Sequence, residues 1–172
     1  MMKKLICVAM AMVLFVTVSV CPVSAAKATD SAIIAIGETV EWTETLPDGL
    51  VLVYTVTQHK PTSGAETAAT TKTVSGTGTV SVKDGSTVLY TLSVNATFSV
   101  NMGSSATCTG CSYTYSIKNS SWNFDSATAT RSGNTATATG NFYKKVLFVT
   151  VDRLTTTVKL RCDVNGNLTT IV

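Results

Sequence analysis

The chain predicts an all-β fold, mainly antiparallel and arranged as a Greek-key-like β-sandwich of about eight to ten strands, with a closed β-barrel as the alternative. Three observations carry this. Apolar residues recur at every second position, most clearly at Tyr90, Leu92, Val94, Ala96, Phe98, Val100 and Met102, with Thr, Ser or Asn between them. Val and Thr dominate, and their β-branched side chains suit a half-buried pleated surface better than a helix. Turn-forming clusters then punctuate the runs: Pro47-Asp48-Gly49, Lys83-Asp84-Gly85-Ser86, Arg131-Ser132-Gly133-Asn134 and Val164-Asn165-Gly166-Asn167.

The N-terminus is expected to be a cleaved secretory signal. Lys3 and Lys4 form its basic head, Leu5 to Val20 its apolar middle, and Pro22-Val23-Ser24-Ala25-Ala26 its small-residue exit. The apolar stretch is shorter than the roughly 20 residues that span a bilayer, so no membrane span is expected after cleavage. Cleavage is placed after Ala25, with Ala26 the near alternative, which leaves 26–172 as a single secreted domain. Acylation at Cys21 is disfavoured, because Val20 stands where lipoprotein signals carry a small residue. Of the 13 basic residues two, Lys3 and Lys4, leave with the signal, so 11 remain against 10 acidic ones. That balance, with no basic stripe, argues against nucleic acid as a partner.

Along the mature chain, Val40 and Trp42 alternate with Glu41 and Thr43. Leu52, Tyr54 and Val56 form the next run, followed by Val74, Val80 and Val82, where Gly76 and Gly78 occupy the apolar phase and leave room for a bend or a close neighbour. Between these runs, residues 59–71 have no apolar period and predict a mobile polar loop. The stretch from Tyr90 is too long for one ordinary strand, so it is expected to bend, bulge or pass between sheets. Val146 to Val151, interrupted only by Thr150, reads as a strand buried on both sides or paired centrally. Leu154, Thr156, Val158, Leu160 and Cys162 complete the alternation.

Three cysteines follow the signal: Cys108, Cys111 and Cys162. Parity places Cys111 in phase with Tyr113, Tyr115 and Ile117, and Cys162 in phase with Val158 and Leu160. A bridge between Cys111 and Cys162 is therefore favoured, with Cys108 to Cys162 and Cys108 to Cys111 as alternatives. The loop closed by the favoured bridge, about 50 residues, predicts roughly 4 kcal/mol of stabilisation on the chain-entropy account. Cys108-Thr109-Gly110-Cys111 has the spacing of a redox dithiol or half a zinc site, but no helix is predicted to lower a thiol pKa and no second such pair supplies the remaining ligands.

No catalytic motif is present. His59 is the single histidine and sits at a strand end, no Gly-x-Ser-x-Gly elbow occurs, and Asp163 to Asn167 lacks the spacing and closing Glu of a calcium loop. Glycoside hydrolysis would need two carboxylates at a fixed separation, for which Glu38 or Glu44 with Asp125 are the available residues. Glu38, Glu41 and Glu44 are more simply read as charges that protect an edge strand. Trp42, Tyr113, Tyr115, Trp122 and Tyr143 are candidates for a sugar-stacking surface, with core packing the competing fate. No metal site or cofactor is expected.

The blocks "LYTLSVNATFSVN", "SSWNFDSATATRSGNTATATGNF" and "VKLRCDVNGNL" resemble small secreted proteins of unknown function from Gram-positive bacteria, over residues 88–167. The resemblance implies a secreted β-rich domain and no catalytic residues. The expected role is a non-catalytic extracellular binding module, monomeric by default, whose partner is a protein or a glycan. A secreted effector acting on other cells is the alternative, and a glycoside hydrolase ranks third. No apolar tail precedes Val172, so release rather than wall anchoring is expected.

Overall fold

A computed structural model describes residues 39–60 and 71–171. The signal, Cys21, Glu38 and most of the predicted loop at 59–71 lie outside the described residues. Among the described residues nine strands account for the regular structure: β1 (Thr39–Thr45), β2 (Val51–His59), β3 (Thr71–Asp84), β4 (Thr87–Asn101), β5 (Ser105–Ile117), β6 (Trp122–Ser132), β7 (Thr135–Val146), β8 (Val149–Cys162) and β9 (Leu168–Ile171). They form two antiparallel sheets, β1-β2-β3-β4-β5 and β6-β7-β8-β9, neither closed into a barrel. Among the described residues no helix is long and apolar enough to cross a membrane.

The sheets pack face to face. β2 faces β9, β3 faces β8 and β9, β4 faces β7 and β8, and β5 faces β6 and β7. Every neighbour within a sheet is also the neighbour in sequence, so the architecture is two meanders. That corrects the expected Greek-key connection: within each sheet every strand pairs with the next in sequence, and a Greek key needs a strand that returns to lie beside an earlier one. The four predicted turns all occur, and Gly49, Gly85, Gly133 and Gly166 each carry a positive φ.

β4 shows why alternation dictates this packing. Tyr90, Leu92, Val94, Phe98 and Val100 are fully enclosed, whereas Thr91, Ser93, Asn95, Thr97 and Ser99 face outward. The strand stays in one sheet, and its length is accommodated by irregular pairing. Tyr90 opposes Val82 while Val88 opposes Lys83, which leaves Leu89 as an extra residue and buries two consecutive positions. Met102, the last residue of the alternating run, lies in the turn and is 44% exposed. On β3, Gly76 permits close approach: a Cβ there would collide with Leu168 Cδ1 and with the Thr57 carbonyl at 2.7 Å.

One polar contact ties the sheets through this apolar centre. The Tyr90 and Thr156 hydroxyls lie 2.8 Å apart, both buried, and the Tyr90 ring stacks on Phe142 with centroids 3.9 Å apart. Trp122 closes the group at 5.2 Å from Tyr90. Residues 118–121 deliver it there by carrying the chain between sheets, with the amides of Lys118 and Asn119 both donating to the Leu89 carbonyl at 2.9 Å.

Removing one hydroxyl of this pair strands the other in a dry interior, which costs roughly 1–3 kcal/mol, whereas removing both is nearly neutral. Chemical denaturation is expected to show Tyr90→Phe destabilised by that amount, and Tyr90→Phe with Thr156→Val restored to within about 1 kcal/mol of the parent.

Candidate functional site

The aromatic candidates do not converge on one platform. Trp122 is core, 3% exposed. Trp42 is half-buried on edge strand β1, stacked on Tyr54 with centroids 5.5 Å apart. Tyr113 and Tyr115 stand on β5, four strands and about 19 Å away across the same sheet. Tyr115 stacks on Phe124 at 3.8 Å, sealing the side where β5 meets β6. Tyr143 lies on β7 next to inward-facing Phe142, with Lys145 Nζ 5.2 Å and the Arg153 guanidinium 5.8 Å from its ring centre.

All three cysteines are free thiols in the structure. The favoured Cys111–Cys162 bridge is not formed, nor is either alternative. Cys111 and Cys162 both face the core as their phase predicts, but Cys108, expected out of phase, faces it too. Thr97 pairs with Gly110 and Phe98 with Cys108, so Thr109 is an extra residue that shifts the phase of β5. Cys108 is thereby turned into the core along with Cys162, and Cys111 stays only half-buried. Backbone hydrogen bonds couple the two buried cysteines instead. The Cys108 amide donates to the Gly133 carbonyl at 2.8 Å and the Cys162 amide to the Asn134 carbonyl at 3.0 Å, successive peptides of the β6–β7 turn. Arg131 of the same hairpin donates to the Thr109 carbonyl.

Neither buried thiol is prepared for nucleophilic work. Burial pushes Cys162 up to about 11, reinforced by the Asp163 carboxylate, and burial likewise raises Cys108. Among the described residues no three His, Cys, Asp or Glu side chains gather closely enough to hold a metal ion. His59 Nε2 lies 2.8 Å from Thr77 Oγ1 at an exposed position. Burial works against ionisation of Asp163, yet donors from Asn167, Asn165 and Gly166 together outweigh it and hold the carboxyl below the usual carboxylate range. Two of those contacts, from the Asn165 and Asn167 amides, are 2.8 Å long, so the carboxylate is spent on its own turn.

The carboxylates named for hydrolysis stand apart. Glu44 is on β1 at one edge of the sandwich, where it helps raise the pKa of buried Tyr54 to about 12 after the larger effect of burial. Asp125 is on β6, at the opposite edge beside β5, and forms an exposed ion pair with Arg153 at 3.7 Å. A shallow groove of about 200 Å³ lies between Leu46, Leu52 and Tyr54 on one side and Leu154 to Thr157 on the other. It exists because β9 pairs with β8 only from Lys159 to Cys162, leaving the preceding part of β8 uncovered.

The feature that sequence reasoning placed wrongly is the most exposed apolar element among the described residues. Val146 to Val151, expected in the interior, forms the tip of the β7–β8 hairpin, where Val146 pairs with Val149 across a two-residue turn. Leu147 is 87% and Phe148 97% exposed, with Val146, Val149 and Val151 also facing solvent. Leu147 has φ 48° and Phe148 φ 71°, both in the left-handed region. Such a turn ordinarily uses Asn-Gly, because left-handed backbone costs other residues roughly 1–2 kcal/mol each. Two large apolar side chains are thus held in water on an unfavourable backbone. The missed signal was length: Thr135 to Cys162 cannot be one strand, yet no Gly or Asn marks where it reverses.

Comparison with known proteins adds little. No family model matches the chain, and no curated protein matches it. Among solved structures it is similar to a hypothetical protein from Listeria monocytogenes EGD-e, at 16% identity and a TM-score of 0.42, over 80% of this chain and 97% of that one. A likeness at that level carries no argument about function.

The raised thiol of Cys162 has a pH consequence. Its folded-state value of about 11 lies above the ordinary 9.0, so its protonated form contributes stability that is complete below pH 9 and lost as pH rises through 11. Melting temperatures are expected to fall over that window in the parent and to fall less steeply in Cys162→Ala; equal slopes would show that this thiol does not contribute.

Proposed function

We propose that this chain is a secreted, non-catalytic β-sandwich that works by contact, presenting the β7–β8 hairpin to a partner outside the cell. The observation supporting this is the tip itself: Leu147 and Phe148 stand 87% and 97% exposed on left-handed backbone. A fold under selection for stability and solubility alone would place Asn-Gly there. Strain retained together with exposed apolar area fits a surface that becomes covered on binding. The signal-like N-terminus supports an extracellular address, and the rest of the surface fits a scaffold role. Its outward faces are Thr, Ser and Asn ladders that satisfy each other, as in Thr77 with Asn95, Thr79 with Ser93 and Thr155 with Asn141, each 2.8 Å apart.

The same tip also fits an effector that acts on other cells, because both readings require the hairpin to meet its target.

Replacing the tip with the residues its backbone prefers separates contact from folding. Leu147→Asn with Phe148→Gly is expected to leave the protein as stable or more stable and to lower retention of the labelled, purified chain on whole bacterial cells at least tenfold. Undiminished retention by the double variant would refute the contact role of the tip.

A further inference from the structure

We infer that the partner of the β7–β8 hairpin is an anionic lipid surface, into which the tip inserts; this rests on the contact reading above. Strand β6 pairs with β7 no further than Trp122 opposite Lys144, and Lys145 makes the last lateral contact by donating its amide to the Ser121 carbonyl at 2.8 Å. On the other side, β9 reaches only as far as Lys159. Among the described residues, the hairpin from Val146 to Val151 is therefore a two-stranded ribbon that projects beyond both neighbouring strands.

Polarity along this ribbon is ordered by depth. Leu147 and Phe148 form the end, the Val146–Val149 pair forms the next rung, and Lys145 pairs with Thr150 behind it. Val151 is the extra residue of a bulge, after which Lys144 opposes Asp152 and Tyr143 opposes Arg153. Three basic residues, Lys144, Lys145 and Arg153, thus collar the apolar end, against Asp152 opposite Lys144 and Asp125 beside Arg153. Tyr143 is the aromatic of the collar, flanked by the cations of Lys145 and Arg153.

A groove on a protein would select one apolar face of the ribbon. Here Leu147 and Phe148 are almost wholly exposed and the valines about half exposed, and the change from apolar to cationic runs along the axis. That profile matches the succession from acyl chains to anionic headgroups in a bilayer leaflet. At about 3.3 Å per residue, the turn and first rung reach the roughly 5–10 Å depth at which interfacial elements bury their apolar groups. Arg153 is partly engaged by Asp125 at 3.7 Å, so Lys144 and Lys145 carry most of the electrostatic attraction.

The test uses the purified chain and unilamellar vesicles, either phosphatidylcholine alone or phosphatidylcholine with about a third phosphatidylglycerol. Partitioning measured by co-sedimentation is expected to favour the anionic vesicles at least tenfold and to weaken with added salt. Leu147→Asn with Phe148→Gly is expected to lower it at least tenfold while the melting temperature is maintained. Lys144→Gln with Lys145→Gln is expected to remove most of the anionic preference. In Phe148→Trp, fluorescence should shift to the blue with anionic vesicles. Equal binding to both compositions, or no loss in the Asn-Gly variant, overturns the inference. If vesicles do not bind but cell retention still depends on the tip, the lipid assignment fails and the contact reading survives. Self-association abolished by the Asn-Gly change, without vesicle binding, would identify a second copy as the partner and also overturn it. If cell retention and vesicle binding are both indifferent to the tip, both readings fall.

Discussion

Every second side chain of the central strands must leave water, and they can do so only if two sheets close on each other. On β4 that requirement falls on Tyr90, Leu92, Val94, Phe98 and Val100, and on β8 it falls on Val158, Leu160 and Cys162. Each buried aliphatic or aromatic residue contributes roughly 1.5–3 kcal/mol of transfer free energy, so the alternating set far outweighs any single polar contact. The Tyr90–Thr156 hydrogen bond therefore serves mainly to spare two hydroxyls a costly desolvation. The close approach of Leu168 to Gly76 belongs to the same closure, since β9 seats against β3 only where a side chain is missing.

The part of the fold that obeys a period of two was legible in the sequence. Leu52, Tyr54 and Val56, then Val80 and Val82, then Val158 and Leu160 are buried as their alternation requires. The departures cluster where a single extra residue or an unmarked reversal breaks that period. At Thr109 one inserted residue turned Cys108 inward on the same side as Cys111, which parity could not foresee because a bulge has no obligatory residue type. At Leu147-Phe148 the chain reverses without the Gly or Asn that announces a tight turn, so an apolar run that resembles a core strand became an exposed hairpin tip. Strand order was equally hidden, since alternation determines which face is buried and says nothing about which strand lies beside which. The aromatic candidates were scattered by the same fact: Trp42 and Tyr115 share a sheet but sit on its opposite edges.

The candidate site was legible in composition and illegible in place. The five apolar residues between Lys145 and Asp152 are evident from the sequence, and only the pairing of Val146 with Val149 turns them into a surface. The body of the sandwich makes this tolerable. Its outward hydroxyls and amides pair with one another, Asp163 is consumed by its own turn, and the buried thiols are held protonated. A domain so quiet elsewhere can carry a small strained element at one end, because the strain is local and the core does not depend on it.

Native-state hydrogen exchange resolved by residue tests this division between one shared core and an independent tip. The account predicts that the amides of Leu92 to Val100 on β4 and Val158 to Leu160 on β8 exchange slowest and with a common opening free energy, although they belong to different sheets. The Val146–Val149 rung, paired on one side only, is predicted to exchange orders of magnitude faster. Separate opening energies for the two sheets, or a tip as protected as Leu92, would contradict it.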